Sequence, residues 1–68
     1  MNDEYLAQFF TSKWVQPELR YVSQQYDDLG HWIIRNVPMN RERTVALRSL
    51  LKSKDEIMRA YLAEREKQ

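Results

Sequence analysis

Cysteine is absent from this 68-residue chain, which excludes disulfide bridges and thiolate metal sites. A single histidine cannot assemble a zinc site alone. Glycine occurs once and proline twice, so the chain has few places to turn and no Gly-rich phosphate loop. No apolar run approaches the roughly 20 residues of a membrane span, and the acidic opening MNDEYLAQ does not read as a signal peptide. An excess of one charge is missing as well. Charged residues make up 31% of the chain, yet the net charge is +1. A duplex-DNA binder would carry a clear basic excess, so duplex DNA is not an expected partner.

These absences bear on stability. A chain this short buries only about 60% of its unfolded surface, and small scaffolds usually need a staple. With disulfides and metals excluded, self-association is the staple that remains.

What is present is helical pattern. Pro17 and Pro38 punctuate the single domain 1–68 into three pieces. A short helix is expected over about 3–10, with Tyr5, Leu6, Phe9 and Phe10 on one face and Asn2 or Asp3 as its cap. A loop follows over residues 11–16. Pro17 suits the first turn of the next helix, expected over about 17–36. There Leu19, Val22, Tyr26, Leu29 and Ile33 recur at alternating steps of three and four, a heptad seam expected to be packed. Trp32 and Ile34 lie off the seam and widen the apolar surface, which implies a second partner for this helix. Gly30 sits inside it at a cost of about 1 kcal/mol relative to Ala, either as a tolerated defect or because another helix approaches closely.

The residue before Pro38 is biased away from helical angles, so the helix ends by Val37. A connection this short makes the flanking helices an antiparallel hairpin. The second long helix is expected over about 41–65, with Asn40 as N-cap and Leu47, Leu50, Leu51, Ile57, Met58, Tyr61 and Leu62 as its apolar band. Residues 64–68 are expected to fray. Asp55 and Arg59 form an i,i+4 pair. Lys54 falls within the band, where it either snorkels to water or lines a polar pocket. The fold class is therefore all-α: a short N-terminal helix plus an antiparallel two-helix hairpin, assembling as a homo-oligomer.

Candidate chemistry is sparse. Arg41 and Arg43 occupy a first helical turn, where the macrodipole disfavours cations by about 0.3–1 kcal/mol each. Either carboxylates pair with them, or they and the free amides hold an anion. His31 follows Asp27 and Asp28 at i+4 and i+3, as a surface ion pair or as an oriented imidazole for a metal or a proton. No Ser or Thr has a base beside it, so neither catalysis nor a cofactor is expected. Tyr5, Phe9, Phe10, Trp14, Tyr21 and Tyr26 crowd the first 26 residues. They supply packing area, and near Lys13, Arg20, Arg41 and Arg43 they also suit stacked nucleobases and phosphates.

One block carries a resemblance. Phe10-Thr11, Gln16-Pro17-Glu18, Arg20-Tyr21 and then Pro38 with Arg41-Glu42-Arg43-Thr44-x-Ala46-Leu47-x-x-Leu50 resemble the helical hairpin shared by anti-CBASS cyclic-nucleotide sponges and Thoeris anti-defence proteins of phages. The similarity covers roughly Phe9 to Ala63. Two departures stand out: Ser12 where the family pattern has Tyr, and Lys54-Asp55-Glu56-Ile57 where many members continue Met-Trp-Ala-Asn. The resemblance implies a non-catalytic protein in the host cytoplasm. Such a protein sequesters a cyclic di- or trinucleotide or a cyclic ADP-ribose-type signal, as a compact homo-oligomer (a hexamer in the fullest form) with pockets between protomers. Carried onto this chain, Arg41 and Arg43 would bind phosphate, helped by Lys13, Arg20 and Arg59. Tyr5, Phe10, Trp14 and Tyr21 would stack on bases. The rival readings are a small helical adaptor or inhibitor gripping a host protein through the surplus apolar surface, and a small nucleic-acid regulator.

Overall fold

A computed structural model describes residues 4–13 and 15–66, and the side chains of residues 5–13 and 15–63. The expected cap at Asn2 or Asp3, the Trp14 side chain and the last two residues lie outside the described residues. Every regular element among the described residues is helical. A 3-10 segment, Glu4–Phe9, leads into a loop, and a single 3-10 turn, Pro17–Leu19, feeds α1, Arg20–Asn36. A four-residue connection then turns the chain into α2, Arg41–Glu66. The N-terminal element is thus tighter than an α-helix, and α2 continues through part of the tail expected to fray. Its 26 residues dominate the long dimension of a 44 × 18 × 15 Å molecule.

The hairpin turn is built as its sequence indicates. Asn40 Oδ1 accepts a hydrogen bond from the Arg43 amide at 2.8 Å, capping α2. The Thr44 hydroxyl adds a bond to the Asn40 carbonyl at 3.3 Å. Arg43 resolves the puzzle of a cation at a helix start. An antiparallel hairpin sets the N-terminus of α2 beside the C-terminus of α1, where unsatisfied carbonyls favour positive charge. The Arg43 guanidinium is buried there and donates to the carbonyls of Ile34 (3.2 Å) and Val37 (2.9 Å). Charged-group hydrogen bonds of this kind contribute about 1.5–3 kcal/mol each. Arg43→Ala is therefore expected to lower unfolding stability by about 2–4 kcal/mol, read from urea denaturation. A loss below about 0.5 kcal/mol, within the range of ordinary surface changes, would remove Arg43 from the hairpin's framework.

The apolar core is small. Leu6, Phe10 and Leu47 form its centre, with Ile33, Ile34, Leu50 and Leu51 packed against it, and Leu19 is buried nearby. The heptad seam of α1 is only partly used within the chain. Leu19 is buried, Val22, Tyr26 and Ile33 are half-buried, and Leu29 is 47% exposed. The expectation that Leu29 sits in a packed core is corrected here: the N-terminal segment packs on another side of the hairpin and leaves Leu29 uncovered. Gly30 is also explained differently from the expectation of a neighbouring helix. The group that approaches it is the Phe10 ring, 1% exposed, from the N-terminal segment.

Candidate functional site

Beneath the N-terminal segment lies a buried polar cluster that joins all parts of the fold. Lys54 Nζ of α2 and Asp27 Oδ1 of α1 form an ion pair at 2.7 Å, with both side chains over nine-tenths buried. The ammonium also donates to the carbonyls of Phe9 (3.1 Å) and Thr11 (3.2 Å), so each of its three protons has an acceptor. On the other carboxylate oxygen, the hydroxyls of Ser12 and Ser23 donate to Asp27 Oδ2 at 2.7 and 3.2 Å. A buried charge is tolerated when paired and fully hydrogen-bonded, and this one is both. Lys54 therefore does not snorkel. It ties the loop after the 3-10 segment to both helices.

His31 has a different role from the one its spacing suggested. Its Nε2 lies 2.9 Å from the Phe10 carbonyl, and its ring meets the Phe10 ring edge-on with centroids 6.3 Å apart. Asp27 is held by Lys54, and Asp28 accepts a hydrogen bond from the Gln24 amide at 2.7 Å. The His31–carboxylate pairing is thus replaced by a clamp on the N-terminal segment. Among the described residues no group of three or more His, Asp or Glu converges to hold a metal ion, and no helix is long and apolar enough to cross a membrane.

Next to this cluster, between the loop and α2, runs an open groove of about 430 Å³ lined by Phe9, Val15, Leu51, Lys54, Asp55 and Met58. It continues into a second concavity of about 240 Å³ that shares Val15, Asp55 and Met58 and adds Gln16, Leu19, Arg59 and Leu62. Arg20 folds towards this region, its Nε donating to the Val15 carbonyl at 3.3 Å. Arg59 pairs with Asp55 at 2.8 Å on the exposed rim, as its spacing indicated.

The candidate ligand residues fall into separate groups. Arg20 and Arg59 stand at the groove, and Lys13 belongs to the loop that walls it. Arg41 lies exposed at the hairpin turn, 18 residues and so about 27 Å along α2 from Arg59. Tyr5 is half-exposed, its hydroxyl accepting from Arg48 at 2.7 Å, and Tyr21 projects from the start of α1, 79% exposed. Phe10 and Arg43 belong to the framework: the ring is enclosed against Gly30, and the guanidinium holds the end of α1. Stacking Phe10 on a base would require opening the core. Its neighbour Phe9, 52% exposed at the groove, is among the aromatics suited to stacking but is not one of the residues the resemblance assigns to bases. No family model, curated protein or solved structure matches this chain.

Proposed function

We propose that the chain captures a cyclic nucleotide signal and withholds it without cleaving it, in the manner of the phage anti-defence hairpins its sequence resembles. The observation that carries this reading is the groove of Phe9, Val15 and Met58 with Arg59 on its rim and Arg20 folded onto its wall. Its volume falls in the range of about 300–1,000 Å³ typical of small-molecule sites. Phe9 offers a flat apolar face for a base, while Arg20, Arg59 and Lys13 supply guanidinium and ammonium groups for phosphates. The groove is open, Arg41 stands about 27 Å along α2 from Arg59, and neither Tyr5 nor Tyr21 is among the residues that line it. In this reading the chain acts in the host cytoplasm as a homo-oligomer, up to a hexamer. Neighbouring copies would then bring those residues to the mouth of each site.

Isothermal titration with cyclic dinucleotides, cyclic trinucleotides and cyclic ADP-ribose derivatives tests the reading. At least one class is expected to bind. Arg59→Ala is expected to weaken that binding about 10- to 100-fold, the loss of one charge-assisted hydrogen-bonding group. The melting temperature should barely move, because the exposed Arg59–Asp55 pair contributes only about 0.3–0.5 kcal/mol. Absence of binding across the panel would refute the reading. Binding that ignores Arg59 would move the site away from this groove.

A further inference from the structure

The hairpin has two broad faces, and the N-terminal segment covers one of them. That segment is held through His31 and Asp27 of α1 and Lys54 and Arg48 of α2. On the opposite face Tyr26 and Ser53 meet across the hairpin, hydroxyl to hydroxyl at 3.1 Å. Around that contact Leu29 is 47% and Ile57 45% exposed, and Ile33 and Leu50 are only partly buried. We propose that this face is the docking surface for a second copy of the same chain, two hairpins stacking as a four-helix bundle.

Three features select that occupant. The first is spacing. Tyr26, Leu29 and Ile33 follow the three-four rhythm with which helices interdigitate, and within the chain Tyr26 and Ile33 are only partly buried and Leu29 stays 47% exposed. The partner surface is therefore helical. The second is charge. Tyr26, Leu29, Ile33, Leu50, Ser53 and Ile57 are all uncharged. A nucleic acid or a charged peptide finds no counter-charge among them, whereas an identical apolar face meets no repulsion. The third is area. A helix of 17 residues is about 25 Å long. Beside a second helix 8–10 Å away it presents a face of about 25 by 20 Å. Burying that face on two copies removes about 1,000 Å², the size at which a contact becomes large enough for a specific interface. A dyad is the simplest closed symmetry for such a self-complementary patch.

The proposal rests on the self-association in the reading above but not on its ligand, and it is tested with no nucleotide present. Sedimentation equilibrium of the full chain at tens of micromolar is expected to give at least twice the 8.3 kDa of one copy. Leu29→Asp, which places a carboxylate in the interface, should raise the dissociation constant at least about 100-fold. Ile57→Lys should act the same way from the other helix. Val45→Asp, an equally exposed position of α2 away from this face, should leave the assembly unchanged. Circular dichroism reports whether each variant keeps its helix content. If Leu29→Asp loses it, Leu29→Gln, closer in size and still a good helix former, serves instead with an expected weakening of at least about tenfold. A wild-type monomer at that concentration would overturn the proposal, as it would if another protein were the occupant. So would folded Leu29 and Ile57 variants that assemble like the wild type, or disruption by Val45→Asp equal to that by Leu29→Asp.

Discussion

Lys54→Met is expected to cost about 3–5 kcal/mol of unfolding stability, most of what a domain of this size holds. The methionine fills much of the same space, so the loss is electrostatic rather than a cavity effect. It leaves the Asp27 carboxylate, over nine-tenths buried, with no countercharge, and leaves the Phe9 and Thr11 carbonyls without their donor. Asp27→Asn should act in the same direction, because it leaves the ammonium buried with only carbonyls and a neutral amide around it. The two substitutions touch one interaction and will not add. Asp27→Leu combined with Lys54→Met removes both charges, so this double variant is expected to be more stable than Lys54→Met alone. Urea denaturation at one fixed protein concentration checks all three, since self-association makes stability concentration-dependent. Losses under about 1 kcal/mol for both single variants would show that the pair is solvated and that the N-terminal segment is held by something else.

Gly30→Ala carries the second large effect, and its sign opposes helix propensity. In an exposed helix interior this change would gain about 1 kcal/mol. Here a Cβ would fall 2.5 Å from Phe10 Cγ and 2.6 Å from Cε1, far inside van der Waals contact. The ring has no room to retreat, because it is fully enclosed and its own carbonyl is held by His31. Overpacking of a tight core typically costs about 1–3 kcal/mol, so a net destabilisation of roughly 1–2 kcal/mol is expected despite the propensity gain. In a domain of 60–100 residues each kcal/mol shifts the melting temperature by about 4–8 °C. Trimming the ring with Phe10→Leu in the Gly30→Ala background should recover part of the loss, whereas Phe10→Leu alone is destabilising. Additive losses in that cycle would mean that Gly30 and Phe10 do not meet.

The parts of the fold that were legible in the sequence are those specified locally. Pro38 and the Asn40 cap mark the turn, and the apolar spacing of α1 and α2 follows from helical period. Asp55 and Arg59 pair at i,i+4 as such residues do. What was not legible depends on residues far apart in the chain. Asp27 stands beside Asp28 and one turn before His31, so local spacing made it a surface carboxylate. Besides Ser23 one turn earlier, its partners are Ser12 and Lys54, 15 and 27 positions away. The signal was nevertheless present. Lys54 interrupts an apolar band, and Ser12, Ser23 and Lys54 all meet at the one carboxylate. Arg43 was obscure for a related reason, since a cation at the start of α2 looks misplaced until the end of α1 is set beside it. Phe9 and Phe10 are neighbours in sequence, yet Phe10, one residue past the 3-10 segment, joins Leu6 in the core while Phe9 faces the groove, a choice that depends on how the segment docks on the hairpin.

The proposed function requires that a ligand be held and later recovered whole. The most direct measurement incubates the protein with a panel of cyclic nucleotides, removes it with its cargo by filtration, and heats the retained protein to release what it holds. Depletion of one cyclic nucleotide from the filtrate, followed by its intact return on heating, is the expected result. A filtrate that keeps every nucleotide at its starting concentration, or a released product that is linear or hydrolysed, would contradict sequestration without cleavage.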